Sequence, residues 1–142
     1  MRPYFTNKAK ELIKNPKVYL VDTGLRHAVL QNFALIPQTV EFGYAVENTV
    51  MTELFKVTGL LDQLRYWRTK SGQEVDIVLK HETMLTPIEV KSGDTATIPS
   101  PLKSFIREYH PTVAYVLNWS LIRSLIYEGC TVYFRPLWFP IV

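Results

Sequence analysis

The chain has 142 residues, 47% hydrophobic, 20% charged and 13% aromatic, which is enough apolar material for one domain with a real core and excludes a disordered tail. Its single cysteine, Cys130, excludes an internal disulfide scaffold and a cysteine-based zinc site. The longest stretches free of Asp, Glu, Lys and Arg, 27–40 and 109–122, are broken by Pro37 and Pro111, so neither supplies the roughly 20 apolar residues of a membrane span.

The net charge is +3, from 16 Lys and Arg against 13 Asp and Glu. The excess gathers in residues 1–20, where Arg2, Lys8, Lys10, Lys14 and Lys17 face Glu11 alone. Such a run reads either as a solvated helical face or as a phosphate-contacting arm. The polar, basic start has no apolar h-region of a secretory signal, and the expected location is the cytoplasm. Residues 3–16, punctuated by Pro3 and Pro16, look like the tail of an earlier unit. Residues 1–16 are therefore set apart as an N-terminal extension or remnant, and 17–142 as the domain.

Residues 17–21 are short and rich in β-formers and read as a strand. Asp22 or Thr23 caps a short helix from Gly24 to about Gln31, and a loop runs through Pro37. The clearest helix spans 43–57, where Val46, Val50, Met51, Leu54 and Val57 recur at three and four, and Gly59 stops it. A strand at 64–69, a Lys70-Ser71-Gly72 turn and a strand at 73–80 follow. In the second strand Val75, Ile77 and Leu79 are expected on one face, and Glu74, Asp76 and Val78 on the other. A third strand covers 84–91, closed by Ser92-Gly93-Asp94. Ser100 as cap and Pro101 at the first helical position open an amphipathic helix through Leu102, Phe105, Ile106 and Tyr109, ended by His110-Pro111. Strands at 112–117 and 131–135 complete the chain. This order predicts an α/β fold with a mixed central sheet flanked by helices.

Asp76, Glu89 and Lys91 stand out as a group. Glu89 and Lys91 are two apart on one strand and share a face. If the hairpin loop is even and centred between Glu82 and Thr83, Asp76 sits opposite Glu89. A three-residue loop at 81–83 would pair it with Ile88 instead, and Glu-Thr is not a strong enough turn pair to decide. Two facing carboxylates repel unless a positive charge lies between them. A divalent ion that prefers oxygen, Mg²⁺ or Mn²⁺, satisfies that demand, and Lys91 alone would partly neutralise the pair; with a metal, Lys91 would hold an attacking water or stabilise charge on a phosphate. Glu47 lies on the apolar stripe of its helix, with Val50, Met51 and Leu54 at i+3, i+4 and i+7. An acid there needs a partner or a metal, which makes it a candidate third carboxylate, unless it lies at the edge of the stripe or pairs with an arginine.

This pattern, Asp-x(12)-Glu-x-Lys over a hairpin after an acid-bearing helix, resembles the PD-(D/E)XK nuclease superfamily. Lys17-Val-Tyr-Leu-Val-Asp-Thr-Gly-Leu25, Glu47-Asn-Thr-Val50, Tyr66-Trp-Arg-Thr-Lys-Ser-Gly-Gln-Glu-Val-Asp76 and Ile88-Glu-Val-Lys-Ser92 are, in that order, similar to a domain of unknown function found C-terminal to P-loop ATPases of bacteria and archaea. The resemblance spans roughly 16–135. It implies a restriction-endonuclease-like core, Asp76 and Glu89 as metal ligands, Lys91 as the catalytic lysine and Glu47 as a supporting helical acid. It implies DNA as the substrate of a Mg²⁺- or Mn²⁺-dependent phosphodiester hydrolase, with a P-loop ATPase domain in the same polypeptide. No glycine in this sequence precedes a lysine, so it holds no Walker A motif.

Arg68, Lys70 and Lys103 are candidate phosphate contacts, against a reading as solvated ends. Glu74, two before Asp76, either pairs with a basic group or approaches the metal. Tyr66 and Trp67 are adjacent on a strand, so one is expected in the core and the other out, where stacking on a base is the rarer role. Two alternatives to the nuclease belong to other classes. One is a non-catalytic DNA-binding or interaction module of an ATPase. The other is a retroviral-type aspartic protease through Asp22-Thr23-Gly24, although the helix expected after that triplet favours Asp22 as a cap. His27, His81 and His110 lie in separate elements and receive no role. Cys130 reads as a small buried residue, and the apolar end, 137–142, as packing on the domain or on a partner.

Overall fold

The structure is a computed structural model and describes residues 1–4, 15–31, 33, 37, 39–59 and 63–139. The strands are β1 (Arg2–Pro3), β2 (Leu64–Arg68), β3 (Glu74–His81), β4 (Met84–Val90), β5 (Val113–Asn118), β6 (Arg123–Tyr127) and β7 (Cys130–Pro136). The helices among the described residues are α1 (Thr23–Leu30), α2 (Val40–Thr58) and α3 (Ser100–Tyr109). The strands make one sheet in the order β1-β2-β3-β4-β5-β7-β6. β2, β3 and β4 are antiparallel, β4–β5 and β5–β7 are parallel, and β6–β7 is antiparallel. The mixed sheet with helices expected from the element order is present. Parallel pairing of β4 with β5 requires a crossover, and the stretch that carries α3 provides it.

Two apolar clusters cover the two faces. Leu102, Phe105 and Ile106 of α3 pack with Trp67, Val75, Val78, Ala114, Val116, Cys130, Val132 and Phe134. Val50, Met51 and Leu54 of α2 pack with Leu64, Ile77, Ile88, Val90 and Leu117. Adjacent residues of β5, Val116 and Leu117, fall in opposite clusters, as the two-residue period demands. Tyr66 and Trp67 are both buried, which corrects the expectation that one would face out. Trp67 meets Phe105 edge-on at 5.5 Å, and the Tyr66 hydroxyl donates to the carbonyl of Asn15. A sheet covered on both sides has no outward-facing residue at its centre.

The helix ends follow the local chemistry. Asp22 caps α1 by accepting the N–H of Leu25 at 2.9 Å, so the Asp-Thr-Gly triplet opens a helix. Thr39 caps α2 through the N–H of Phe42, so the helix begins at Val40, three residues before the expected start, and Gly59 at φ 66° closes it in the left-handed region. In α3, Ser100 is the first helical residue rather than the cap: Pro99 precedes it, and no side chain caps this helix.

Three further expectations are corrected. Residues 17–20 form no strand; they are held by a side chain of α2, as described below. β6, missed in the sequence, pairs with β7 through the Glu128-Gly129 turn, with both residues at positive φ, 49° and 78°. Its Arg123, Ser124 and Ile126 are exposed, so the strand carries little apolar pattern. Finally, Val75 joins Val78 in the α3-side cluster and not Ile77 and Leu79, which pack on the α2 side. Most of 3–16, the loop residues 32, 34–36 and 38, and 140–142 of the apolar end lie outside the described residues, as do Lys8, Lys10 and Lys14.

Candidate functional site

The misplacement of Val75 has a geometric cause that also builds the site. β2 and β3 pair as Arg65 with Val78 and as Trp67 with Val75. Tyr66 alone therefore faces two residues, Asp76 and Ile77. This is a bulge on β3, and a bulge slips the in–out phase and re-aims a side chain. Asp76 follows Ile77 toward α2, where it feels the charges of Glu47 and Lys17.

The hairpin between β3 and β4 takes the even register. His81 faces Met84, and pairing runs back to Ile77 opposite Ile88, one step from Asp76 and Glu89. The turn is Glu82-Thr83, with Glu82 at φ 53°. Beyond Ile77 the ladder stops, and Asp76 Oδ2 accepts the N–H of Val90 at 2.8 Å. The two carboxylates are thus neighbours at a splayed end of the hairpin.

Glu89 is buried, its side chain 5% exposed, and its Oε1 receives Lys91 Nζ at 2.7 Å. Its Oε2 is buried with no hydrogen-bond partner. Burial pushes the Glu89 carboxyl above its ordinary range, against the pull of Lys91. Asp76 is pushed from 3.8 up to about 8, first by burial, then by the charges of Glu89 and Glu47, with the Val90 N–H and Lys17 opposing.

Glu47 lies on the sheet-facing side of α2 as expected, and Oε1 of its carboxylate is engaged. Lys17 Nζ sits 2.8 Å from Oε1, and the Tyr19 hydroxyl donates to the same oxygen. Lys17 also ion-pairs with Glu74, whose other oxygen lies 2.6 Å from Arg68 Nε. Glu74 therefore pairs with basic groups, the simpler of its two readings. Burial works to lower the Lys17 pKa, but the Glu47 and Glu74 carboxylates outweigh it and hold the ammonium above its ordinary value.

Asn48, the next residue on α2, places this segment. Its Nδ2 donates to Leu20 O at 2.8 Å and its Oδ1 accepts Leu20 N at 3.0 Å. The amide does for Leu20 what a neighbouring strand would do, while Lys17 exchanges backbone bonds with Met1; Lys17 and Tyr19 thus reach Glu47. The sequence assigns no role to Asn48 or Tyr19 and reads Lys17 only within the basic N-terminal run. The signal was Asn48 itself, which shares the buried stripe of Ala45, Met51 and Thr52, because a polar amide there demands partners.

The cluster holds four acids, Glu47, Glu74, Asp76 and Glu89, and three cations, Lys17, Arg68 and Lys91. Full ionisation would leave one negative charge in excess, at Asp76, which no basic side chain reaches within ion-pair distance among the described residues. Among those residues no ready-made group of three His, Cys, Asp or Glu side chains surrounds a metal. The donor chemistry fits a hard divalent cation all the same: two neighbouring carboxylates, an orphaned buried oxygen on Glu89 and an excess negative charge. Asp76 and Glu89 are the residues that would hold it; Glu47 has its Oε1 shared by Lys17 and Tyr19.

Of the candidate phosphate contacts, Arg68 is engaged with Glu74, Lys70 is exposed in the turn before β3, and Lys103 is on α3, across the sheet from α2, with Nζ over the Tyr127 ring at 5.6 Å. Cys130 is buried in the α3-side cluster, and burial pushes its thiol up to about 11. A groove of about 610 Å³ runs between α2 and the segments that follow β5 and β7, lined by Phe42, Val46, Val57, Trp119, Trp138 and Phe139 among others.

The chain is 27% identical over 106 residues to uncharacterized proteins of Mycobacterium bovis and Mycobacterium tuberculosis. The aligned stretch is 73% of this chain and 24% of each relative, so the chain spans about a quarter of their length. No solved structure matches it significantly. Residues 42–134, which carry α2, the hairpin and every acid of the cluster, match the domain of unknown function DUF4143, and the chain belongs to that family.

Proposed function

We propose that this domain is a divalent-metal-dependent nuclease that hydrolyses phosphodiester bonds of DNA, built on a restriction-endonuclease-like core. One observation carries the reading: Asp76 and Glu89 lie together at the splayed hairpin, with an unpartnered buried oxygen on Glu89 and the Lys91 ammonium on its other oxygen. A bound Mg²⁺ or Mn²⁺ would supply an activated water and charge neutralisation at the phosphate. Asp76 is fixed by the Val90 N–H, and Glu89 by Lys91. Lys91, 39% exposed at its side chain, reaches from the buried acid to solvent. There it orients the attacking water and stabilises charge growing on the phosphate oxygens. Lys70, exposed beside β3, contacts the DNA backbone, and Arg68 shares that role once it leaves Glu74; Lys103 faces the other side and contributes only if the DNA wraps the sheet edge. The length of the relatives leaves room for a P-loop ATPase domain in the same polypeptide, in the cytoplasm.

The test uses calorimetric Mn²⁺ titration and plasmid cleavage, with wild type and Asp76→Ala side by side. The expected result is loss of both in the variant. Cleavage that persists in Asp76→Ala refutes the assignment.

The apolar groove beside α2 favours a second reading, a non-catalytic module that docks against the remainder of a longer protein. DNA binding that weakens steeply with salt, without Mn²⁺ uptake or cleavage, would favour that module.

A further inference from the structure

Resting on that reading of Asp76 and Glu89, we infer that Lys17 is a built-in cation that competes with the divalent ion for Glu47. Its ammonium bridges Glu47 on α2 and Glu74 on β3, and lies over the Tyr66 ring at 5.5 Å. The segment that carries it is held by the Asn48 clamp on Leu20 and by the bond from Lys17 N to the Met1 carbonyl. Lys17 is therefore delivered to the acids by backbone bonds, not swung in from solvent. The independent sign of a ligand is Glu89 Oε2, buried without a hydrogen-bond partner on a side chain 5% exposed whose other oxygen holds Lys91.

Two states follow. In the closed state Lys17 neutralises Glu47 and Glu74, and only Asp76 and Glu89 are open to a divalent ion. In the open state Lys17 releases Glu47, which turns to the ion as a third carboxylate, while Glu74 keeps Arg68. The freed ammonium then lies at the mouth of the site, placed for the anionic group of a substrate. Loading with metal and exposure of a second lysine are thus one event, because both draw on the same carboxylate.

The experiment follows Mn²⁺ binding by the electron paramagnetic resonance of the free ion, with thermal melts on the same samples. Wild type is compared with Lys17→Met, Lys17→Arg, Glu47→Gln and the Lys17→Met/Glu47→Gln double variant. Lys17→Met should bind Mn²⁺ on the order of tenfold tighter, the effect of removing one competing charge a few ångströms from the site. Lys17→Arg should stay near wild type. In the Glu47→Gln background the Lys17→Met gain should fall below about twofold, since the shared carboxylate is gone. Without metal, Lys17→Met should melt below wild type, and saturating Mn²⁺ should close the gap. Lys17→Gln, closer in polarity, carries the same expectation if the methionine variant does not fold.

Equal or weaker binding by Lys17→Met overturns the inference, as does a gain that persists undiminished in Glu47→Gln, which would be a long-range field and not competition. Either result leaves Asp76 and Glu89 as a metal site. Absence of Mn²⁺ binding in folded wild type and in Lys17→Met alike removes the metal reading itself, and this inference with it.

Discussion

Asp76→Asn separates the demands of the site from those of the fold. The asparagine keeps the shape and an oxygen for the Val90 N–H, but it cannot ionise. In the metal-free protein Asp76 is raised from 3.8 to about 8, so the native state holds a proton that the unfolded chain has already lost. Stability then falls as pH rises from about 4 to about 8, because over that window the folded state binds more protons than the unfolded one. Roughly four pH units at ~1.4 kcal/mol each set an upper limit of ~6 kcal/mol. Glu89 shares the repulsion and water reaches the rim, so about 2 kcal/mol is expected to appear, which is about 5–10 °C in melting temperature for a domain of this size. At pH 8.5 without divalent ions, Asp76→Asn should therefore melt above wild type by that amount, while near pH 4 the two should coincide. The same variant should take up no Mn²⁺. The assay is a series of thermal melts from pH 4 to 9 in the presence of a chelator. Parallel curves for the two proteins across that range would refute the reasoning, for they would mean that Asp76 is solvated and not forced against Glu89.

The other predictions bear on the frame around the acids. Asn48→Ala removes both bonds to Leu20 and leaves its part-buried backbone N–H and carbonyl unmatched, so it should cost about 1–2 kcal/mol in denaturant unfolding and speed amide exchange at Leu20. Glu82→Gly relieves a side chain held at φ 53° in the hairpin turn; it should stabilise by roughly 0.5–1 kcal/mol, with Mn²⁺ affinity unchanged. Phe105→Ala opens a hole in the fully buried α3-side cluster and should cost about 3–5 kcal/mol in the same measurement.

What the sequence revealed and what it hid divide along physical lines. α2 was legible because a helix writes its buried face at every third and fourth position: Val50, Met51 and Leu54 are all buried, although Val57, read on the same stripe, is exposed. The hairpin was legible as two strands, but not its register, because Glu82-Thr83 lacks the glycine that would fix a two-residue turn. β6 was hidden because an edge strand with an exposed face carries no strict alternation. The bulge was hidden for a stronger reason. Alternation is the only signal a strand sends about direction, and a bulge breaks alternation at one residue while leaving the composition unchanged. That residue is Asp76. Read by strict alternation, Asp76 shares a face with Val78 and turns away from α2; with the slip it turns toward Glu47, and the acids of strand and helix meet. The same limit applies to Lys17, whose position depends on Asn48 grasping the backbone of Leu20 28 residues away. Contacts of that kind follow from an amide's unmet hydrogen bonds, which a sequence states as a demand without naming the partner. A local rule thus fails at the point where the charges converge, which is where a fold departs from regularity if it has chemistry to perform.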